Sequence, residues 1–210
     1  MSSSRAKNTH ALDTVSSKSS VGRILDAALV LITRKGDANV TMAQIAKAAR
    51  VSRQAVYLHF ADRAALMVAL ARYLDERLGI SADIQQMIDS PTGVAMLEAM
   101  VSMQARRNPS VWAVARAVEA VRRTDAAAER AWQDRLQSRL EGCRVIVARL
   151  QADGSLRPDV DRSIAADLLW TMTSLRMWED LVLGRGWSPQ QYQTQITRLL
   201  RESLTRRDEP

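Results

Sequence analysis

Within residues 41–60 the chain reads TMAQIAKAARVSRQAVYLHF, two short helical periods separated by a tight turn. Thr41 stands three residues ahead of Gln44, the spacing at which a cap hydroxyl and a returning amide satisfy two orphan N–H groups of a helix start. Ile45, Ala48 and Ala49 then recur at helical spacing as one buried face, with Gln44 and Lys47 pointing elsewhere. After a turn at Arg50 and Val51, Ser52 is a suitable N-cap for a second helix through His59. At about 100° per residue Val56 and Phe60 share its inner side, which leaves Gln54, Tyr57 and Leu58 facing out. A short second helix with a polar and aromatic outer face is what a helix-turn-helix presents to a DNA major groove.

The rest of the chain agrees with a helical protein. Gly and Pro are sparse (8 and 5 of 210 residues) and aromatics few, while Leu, Ala, Val, Ile and Met are plentiful, a composition that favours helix over strand. The length allows one large or two modest domains. The formal charge of +7 is unevenly placed: residues 1–78 hold 12 Lys or Arg against 6 Asp or Glu, and residues 79–210 hold 18 against 17. A basic N-terminal third joined to a near-neutral remainder suits a DNA-binding module attached to a domain with another task. The single cysteine, Cys143, excludes an internal disulfide and any multi-cysteine metal cluster, and its ordinary role is a small buried residue. No apolar run approaches the roughly 18 residues of a membrane span, and the first twenty residues lack the apolar middle of a signal peptide. The expectations are a cytoplasmic protein, no membrane, no metal and no cofactor.

Read in order, residues 1–19 are Ser-rich and aperiodic, predicting a disordered arm. Ser19 or Ser20 can cap a first helix to about residue 35, with Ile24, Leu25, Ala28, Leu31 and Ile32 as its stripe and Gly36 as its stop. Asp62 caps a fourth helix, 62–78, carrying Leu66, Leu70, Tyr73 and Leu74. A fifth helix is expected from Ser90 and Pro91, ending before Asn108 and Pro109, and a sixth around Val111, Trp112, Ala115 and Val118. Thr124 can cap a seventh, closed by Gly154. Residues 161–183 are apolar nearly all round, which predicts one helix buried on every side. Ser188 and Pro189 open the last helix, striped by Tyr192, Ile196, Leu199, Leu200 and Leu204. The last two helices together predict an antiparallel pair that buries one side in its own domain and the other against a second subunit. Leu168, Met172, Leu175, Tyr192, Ile196, Leu199 and Leu200 are its candidate interface residues, and a purely internal core pair is the alternative.

The run TMAQIAKAARVSRQAVYLHFADRAALMVAL resembles the tetracycline-repressor family of bacterial transcription regulators, strongly over about residues 21–75. The resemblance implies an all-α architecture of about nine helices. Three N-terminal helices would read DNA (residues 20–66, with linking helix 62–78), and a six-helix part (80–207) would bind a small molecule and form the homodimer. Residue by residue, it implies that Thr41, Tyr57 and His59 meet phosphates and that Arg53, Gln54 and Ala55 face base edges. Arg and Gln suit guanine and adenine respectively. Arg63 replaces the family's usual Lys and can meet a phosphate. Arg50 stands where Gly is common in the turn, at a cost of roughly 1–2 kcal/mol if left-handed, so either the turn adjusts or Arg50 gains an outward partner such as another phosphate. Ser52 and Leu58 complete the expected DNA-facing set, Leu58 by van der Waals contact. The implied partners are a palindromic double-stranded operator, a second copy of the chain and a small apolar or amphipathic ligand. Met100, Met103, Trp112, Trp132, Trp170, Met172, Met177 and Trp178 are candidates to line the ligand's pocket, although each taken singly reads more readily as core. The leading function is a repressor released by its ligand, and the alternative is an architectural or constitutive DNA binder of the same fold. An enzyme is disfavoured, because the two histidines lie in the tail and on the reading helix.

Overall fold

The computed structural model describes residues 19–35 and 40–206. The expected arm and the Gly36 stop lie outside the described residues. Ten α-helical segments and no multi-residue strand occur among the described residues; α1 is Ser20–Lys35, α2 Met42–Ala49, α3 Arg53–His59 and α4 Arg63–Arg77. The buried face of α2 is Met42, Ile45, Ala46 and Ala49, while Ala48 is exposed. That face closes on Ile24, Leu25, Ala28 and Ile32 of α1 and on Val56 and Phe60. Three- and four-residue spacing from Met42 fits this stripe better than spacing through Ala48.

Gly79, at φ +64°, separates α4 from α5 (Ile80–Ile88), a helix that the sequence did not announce. The next element is α6, Gly93–Arg122, one continuous 30-residue helix where two were expected. Its N-cap is Thr92, whose hydroxyl accepts from the Ala95 N–H at 3.1 Å, so the Ser90–Pro91 start is corrected by two residues. Pro109 lies inside it. A proline there removes one N–H and should disturb the helix, yet α6 packs against α4, α5, α7 and the last helix, and that burial holds both halves in one rod. Gly93 lies against the α7 backbone so closely that a Cβ there would fall 2.5 Å from Leu150 N.

Helix α7, Ala126–Ala152, is capped by Asp125, which accepts from Ala128 N–H at 2.7 Å. Thr124 instead donates back to the Val121 carbonyl. Gly154 at φ +68° ends α7 as expected, with Ser155 N–H reaching Leu150 O at 2.8 Å. The single helix expected over 161–183 is broken. It comprises α8 (Arg162–Met172), α9 (Leu175–Trp178) and a π-helical turn, Glu179–Gly184. The break falls where Thr173 donates its hydroxyl to Leu169 O at 2.7 Å and Ser174 caps the next start through Met177 N–H. Helix α10, Pro189–Leu204, opens on the expected Ser188 cap and first-turn proline. One apolar cluster joins α1–α4 to the C-terminal half of α6 and the start of α7; a second joins α6, α7, α8, α9 and α10.

Candidate nucleic-acid interface

The turn between α2 and α3 is built entirely from local bonds. Thr41 Oγ1 accepts from Gln44 N–H at 3.2 Å while Gln44 Oε1 accepts from Thr41 N–H at 2.9 Å. Arg50 closes α2 at φ 55°, ψ 44°, the only left-handed non-glycine among the described residues. Its N–H reaches Lys47 O, and Val51 N–H reaches Ala46 O at 3.1 Å, the paired bonds of a Schellman stop. The turn does not adjust to spare Arg50; it keeps the left-handed geometry and holds the guanidinium at the surface. Ser52 Oγ then accepts from Ala55 N–H at 3.0 Å and starts α3.

Val56 and Phe60 anchor α3 inward, so its other side chains point out. Arg53, Gln54, Tyr57 and His59 are exposed, Ala55 is half-buried, and Leu58 is 79% exposed. A leucine that open on a seven-residue helix is unsupported by any core and suits contact with a base or sugar surface. Arg53 stacks over the Tyr57 ring at 5.6 Å. With Thr41 and Arg63 these two bound a hollow of about 480 Å³ completed by Val40, Met42 and Ala43. The hollow opens at the N-terminus of α2, where first-turn N–H groups and two guanidinium groups face the same space. That donor set suits a phosphate. Arg63 is half-buried and donates its Nε to Val40 O at 3.1 Å, so it also braces the entry to α2. His59 differs from expectation in having an internal partner: its Nε2 lies 2.8 Å from Ser20 Oγ, which ties the end of α3 to the start of α1. The composition of the stretch marked its outer face; the Ser20 and Val40 contacts had no sequence signal.

Behind this face, α4 is bound to the remainder by charge. Asp75 accepts both terminal nitrogens of Arg135 on α7, at 2.7 and 2.9 Å. Arg107 of α6, a buried cation, lies 3.7 Å from the same carboxylate and donates to Leu78 O at 3.0 Å and Asp83 at 3.2 Å. The bidentate Arg135 pair fixes orientation, and the buried Arg107 guanidinium depends on its carboxylate and carbonyl partners for its place. The end of α4 is therefore tied to α5, α6 and α7 at one point.

The candidate pocket residues divide. Met100, Trp170, Met172, Met177 and Trp178 belong to the second apolar cluster, Trp112 packs against both clusters, and Trp132 packs on the first beneath the Arg122 guanidinium, 5.1 Å from its ring. Met103 is buried on α6. Trp170 is engaged on both sides, donating to Leu136 O at 3.4 Å and lying 5.4 Å under Arg139. A cleft of about 620 Å³ opens elsewhere, between α1, α4 and α7, and none of these eight residues lines it. The candidate interface residues divide as well. Tyr192, Ile196 and Leu200 are corrected: they are buried in their own subunit, where Tyr192 donates to Met172 O at 3.2 Å and burial pushes its phenol up to about 12. Leu168 and Leu199 are 40% and 39% exposed, and Met172 and Leu175 are half-buried. Ile164, one turn before Leu168, is 57% exposed.

Three helices ending in a helix-turn-helix with a basic, polar outer face, joined to a larger helical part, define a DNA-binding transcriptional regulator. Residues 24–70 match the model for bacterial regulatory proteins of the tetR family, and the chain as a whole has the all-helical fold of solved regulators of that family. Among solved structures it resembles a TetR transcription regulator from Haloarcula marismortui (17% identity, 89% of this chain and 98% of that one, TM-score 0.71). It also resembles the FadR regulator of Bacillus subtilis, solved with stearoyl-CoA (17%, 85% and 96%, 0.67). A third is NalD of Pseudomonas aeruginosa, the secondary repressor of the MexAB-OprM multidrug efflux pump (22%, 90% and 98%, 0.64). No curated protein sequence matches the chain. No described helix is long and apolar enough to cross a membrane.

Proposed function

We propose that the chain works as a homodimeric repressor that leaves a palindromic operator when a small molecule binds its C-terminal part. The observation that carries this reading is the apolar face that the folded subunit leaves open on α8 and α10, Ile164, Leu168 and Leu199. Large apolar side chains left exposed on two helices that pack together call for a partner, and twofold pairing through α8 and α10 would present two α3 helices from one particle. Thr41, Arg50, Ser52, Tyr57, His59 and Arg63 then hold phosphates, while Arg53, Gln54, Ala55 and Leu58 meet the major-groove edges. Two reading helices must enter successive grooves about 34–36 Å apart. A small tilt of α4 about the Asp75–Arg107–Arg135 knot changes that spacing, so a ligand needs only to prefer the tilted state. Two of the solved neighbours, one bound to an acyl-CoA and one a repressor, support a ligand-released repressor over a constitutive binder.

Sedimentation of the purified protein tests the pairing. The wild type should run at twice its 23.4 kDa chain mass, and Leu168→Arg with Leu199→Arg should run as a folded monomer with unchanged helicity, because both positions already face solvent. A wild type that stays monomeric at micromolar concentration, or a double variant that stays dimeric, would remove α8 and α10 as the interface.

A further inference from the structure

Around the middle of α6, where the two apolar clusters meet at Trp112, stand more unanswered donors than packing requires. Asn108 Nδ2, Trp112 Nε1 and Trp178 Nε1 are closed off from solvent and have no hydrogen-bond partner. Asn108 and Trp178 are each only 2% exposed. Native interiors leave few such groups, and an orphaned one weakens the fold that carries it. The other side chains with an unsatisfied buried nitrogen, Arg63, Arg107 and Arg122, are all engaged through another nitrogen. The two indoles have only one donor each, and it is unanswered among the described residues.

The three side chains belong to two helices that pack on each other, α6 and α9. Asn108 and Trp112 are four apart on α6 and so share a face one turn from each other. One turn further along the same face, Arg116 Nε lies 4.0 Å from Glu179, the residue after Trp178. Helix α9 packs on α6, and Trp178 and Trp112 belong to the same apolar cluster. The walls are apolar and adaptable: Ala105 and Met177 belong to the same cluster. The segments that carry Trp178 are irregular, with the Thr173–Ser174 break before it and the π-turn after it, and π-turns concentrate at functional positions. At the rim the Arg116 charge is met by Glu119 and Glu179, so no net cation waits for an anionic group.

We infer that Asn108, Trp112 and Trp178 form the recognition floor for a neutral, largely apolar molecule that carries carbonyl- or ether-type oxygens, such as a ketone, ester or lactone. This deepens the ligand-released reading above and rests on it. A matched acceptor satisfies donors that the empty protein leaves unpaired, so an oxygenated ligand is favoured over the hydrocarbon of the same shape. It is equally favoured over a carboxylate, which would enter a desolvated site with no net positive charge to meet it.

The test uses the full-length protein labelled with nitrogen-15 at its indoles, titrated with cyclohexanone, methylcyclohexane and cyclohexanecarboxylate. Trp112→Phe and Trp178→Phe assign the resonances. Cyclohexanone should move both indole protons downfield and saturably, methylcyclohexane should not, and the carboxylate should bind at least tenfold more weakly. Each Phe variant should bind cyclohexanone about tenfold more weakly, with a ligand-free thermal midpoint equal to or above that of the wild type, because it loses a donor that had no partner. Indoles that ignore the ketone, that move equally with the hydrocarbon, or that hold an ordered water the ketone does not displace would overturn the assignment. So would Phe variants that lose stability and keep affinity. No DNA is present, so failure here leaves the paired-operator reading standing, and a monomeric sedimentation result leaves this site standing.

Discussion

Arg50→Gly separates two effects that meet at one residue. At φ 55° the arginine holds the left-handed conformation that closes α2, which costs a residue with a Cβ roughly 1–2 kcal/mol. Glycine removes that cost but gains about 0.5–1 kcal/mol of freedom in the unfolded chain, so the net gain is about 0–1.5 kcal/mol, centred on about 0.75 kcal/mol. For a chain of this length the central value raises the thermal midpoint by roughly 1.5–3 °C, and the upper limit by about 6 °C. The guanidinium is exposed beside the reading helix, and each phosphate it neutralises contributes about 0.9 to the slope of log K against log salt. Two copies in a dimer should therefore lower the slope by roughly 1.8 when both are removed. Calorimetry without DNA measures the first quantity, and fluorescence anisotropy on a bound duplex between low and moderate salt measures the second. Arg50→Ala is the control, since it removes the charge and keeps the strain: its midpoint should match the wild type while its salt slope matches Arg50→Gly. Equal midpoints for the Gly and Ala variants would refute the strain argument. An unchanged salt slope in both would refute the phosphate contact.

Gly93→Ala should lower stability by about 1–3 kcal/mol, because its Cβ would meet the Leu150 backbone at 2.5 Å and neither helix axis can yield cheaply; chemical denaturation reads this, and an unchanged midpoint would contradict the close approach. Cys143 is buried and desolvation pushes its thiol up to about 11, so it stays protonated across the neutral range; at pH 8 the native protein should not react with a chromogenic disulfide reagent, and one thiol per chain should react after unfolding. Tyr57→Ala should weaken binding to every DNA sequence alike, whereas Arg53→Ala should cost about 1–3 kcal/mol mainly at one base-pair position. Because Arg53 rests on the Tyr57 ring, the two losses should be less than additive in the double variant, which anisotropy on a panel of single-base substitutions resolves.

Local chemistry explains what is readable in the sequence. Thr41, Ser52, Asp62 and Ser188 each cap a helix through a bond to an N–H three residues on, so the signal and its consequence lie within one turn. The Gly154 stop is equally local. Burial decides the rest. Asn108–Pro109 has the signature of a helix end, yet tertiary packing carries α6 through it and buries the asparagine in the helix interior. Thr173 and Ser174 sit in an apolar run whose composition hides the cap between α8 and α9. The stripe of α10 is legible, but a stripe does not say which neighbour it meets, and Tyr192, Ile196 and Leu200 turn toward α6 and α8 in the same subunit. The outward-facing residues of α3 are the most legible part of the site, because their exposure follows from one short period around Val56 and Phe60. The orphaned indoles are invisible for the opposite reason: a donor without a partner is a property of the packed interior.

The central claim is that one particle reads two half-sites through paired α3 helices. Selection of bound duplexes from a random DNA library, followed by sequencing, tests it with no operator sequence assumed. An inverted repeat should emerge, with half-site centres about 10–10.5 base pairs apart or a multiple of that, and moving the centres by half a helical turn should abolish tight binding. Enrichment of a single unrepeated half-site, or binding indifferent to that half-turn, would contradict the account.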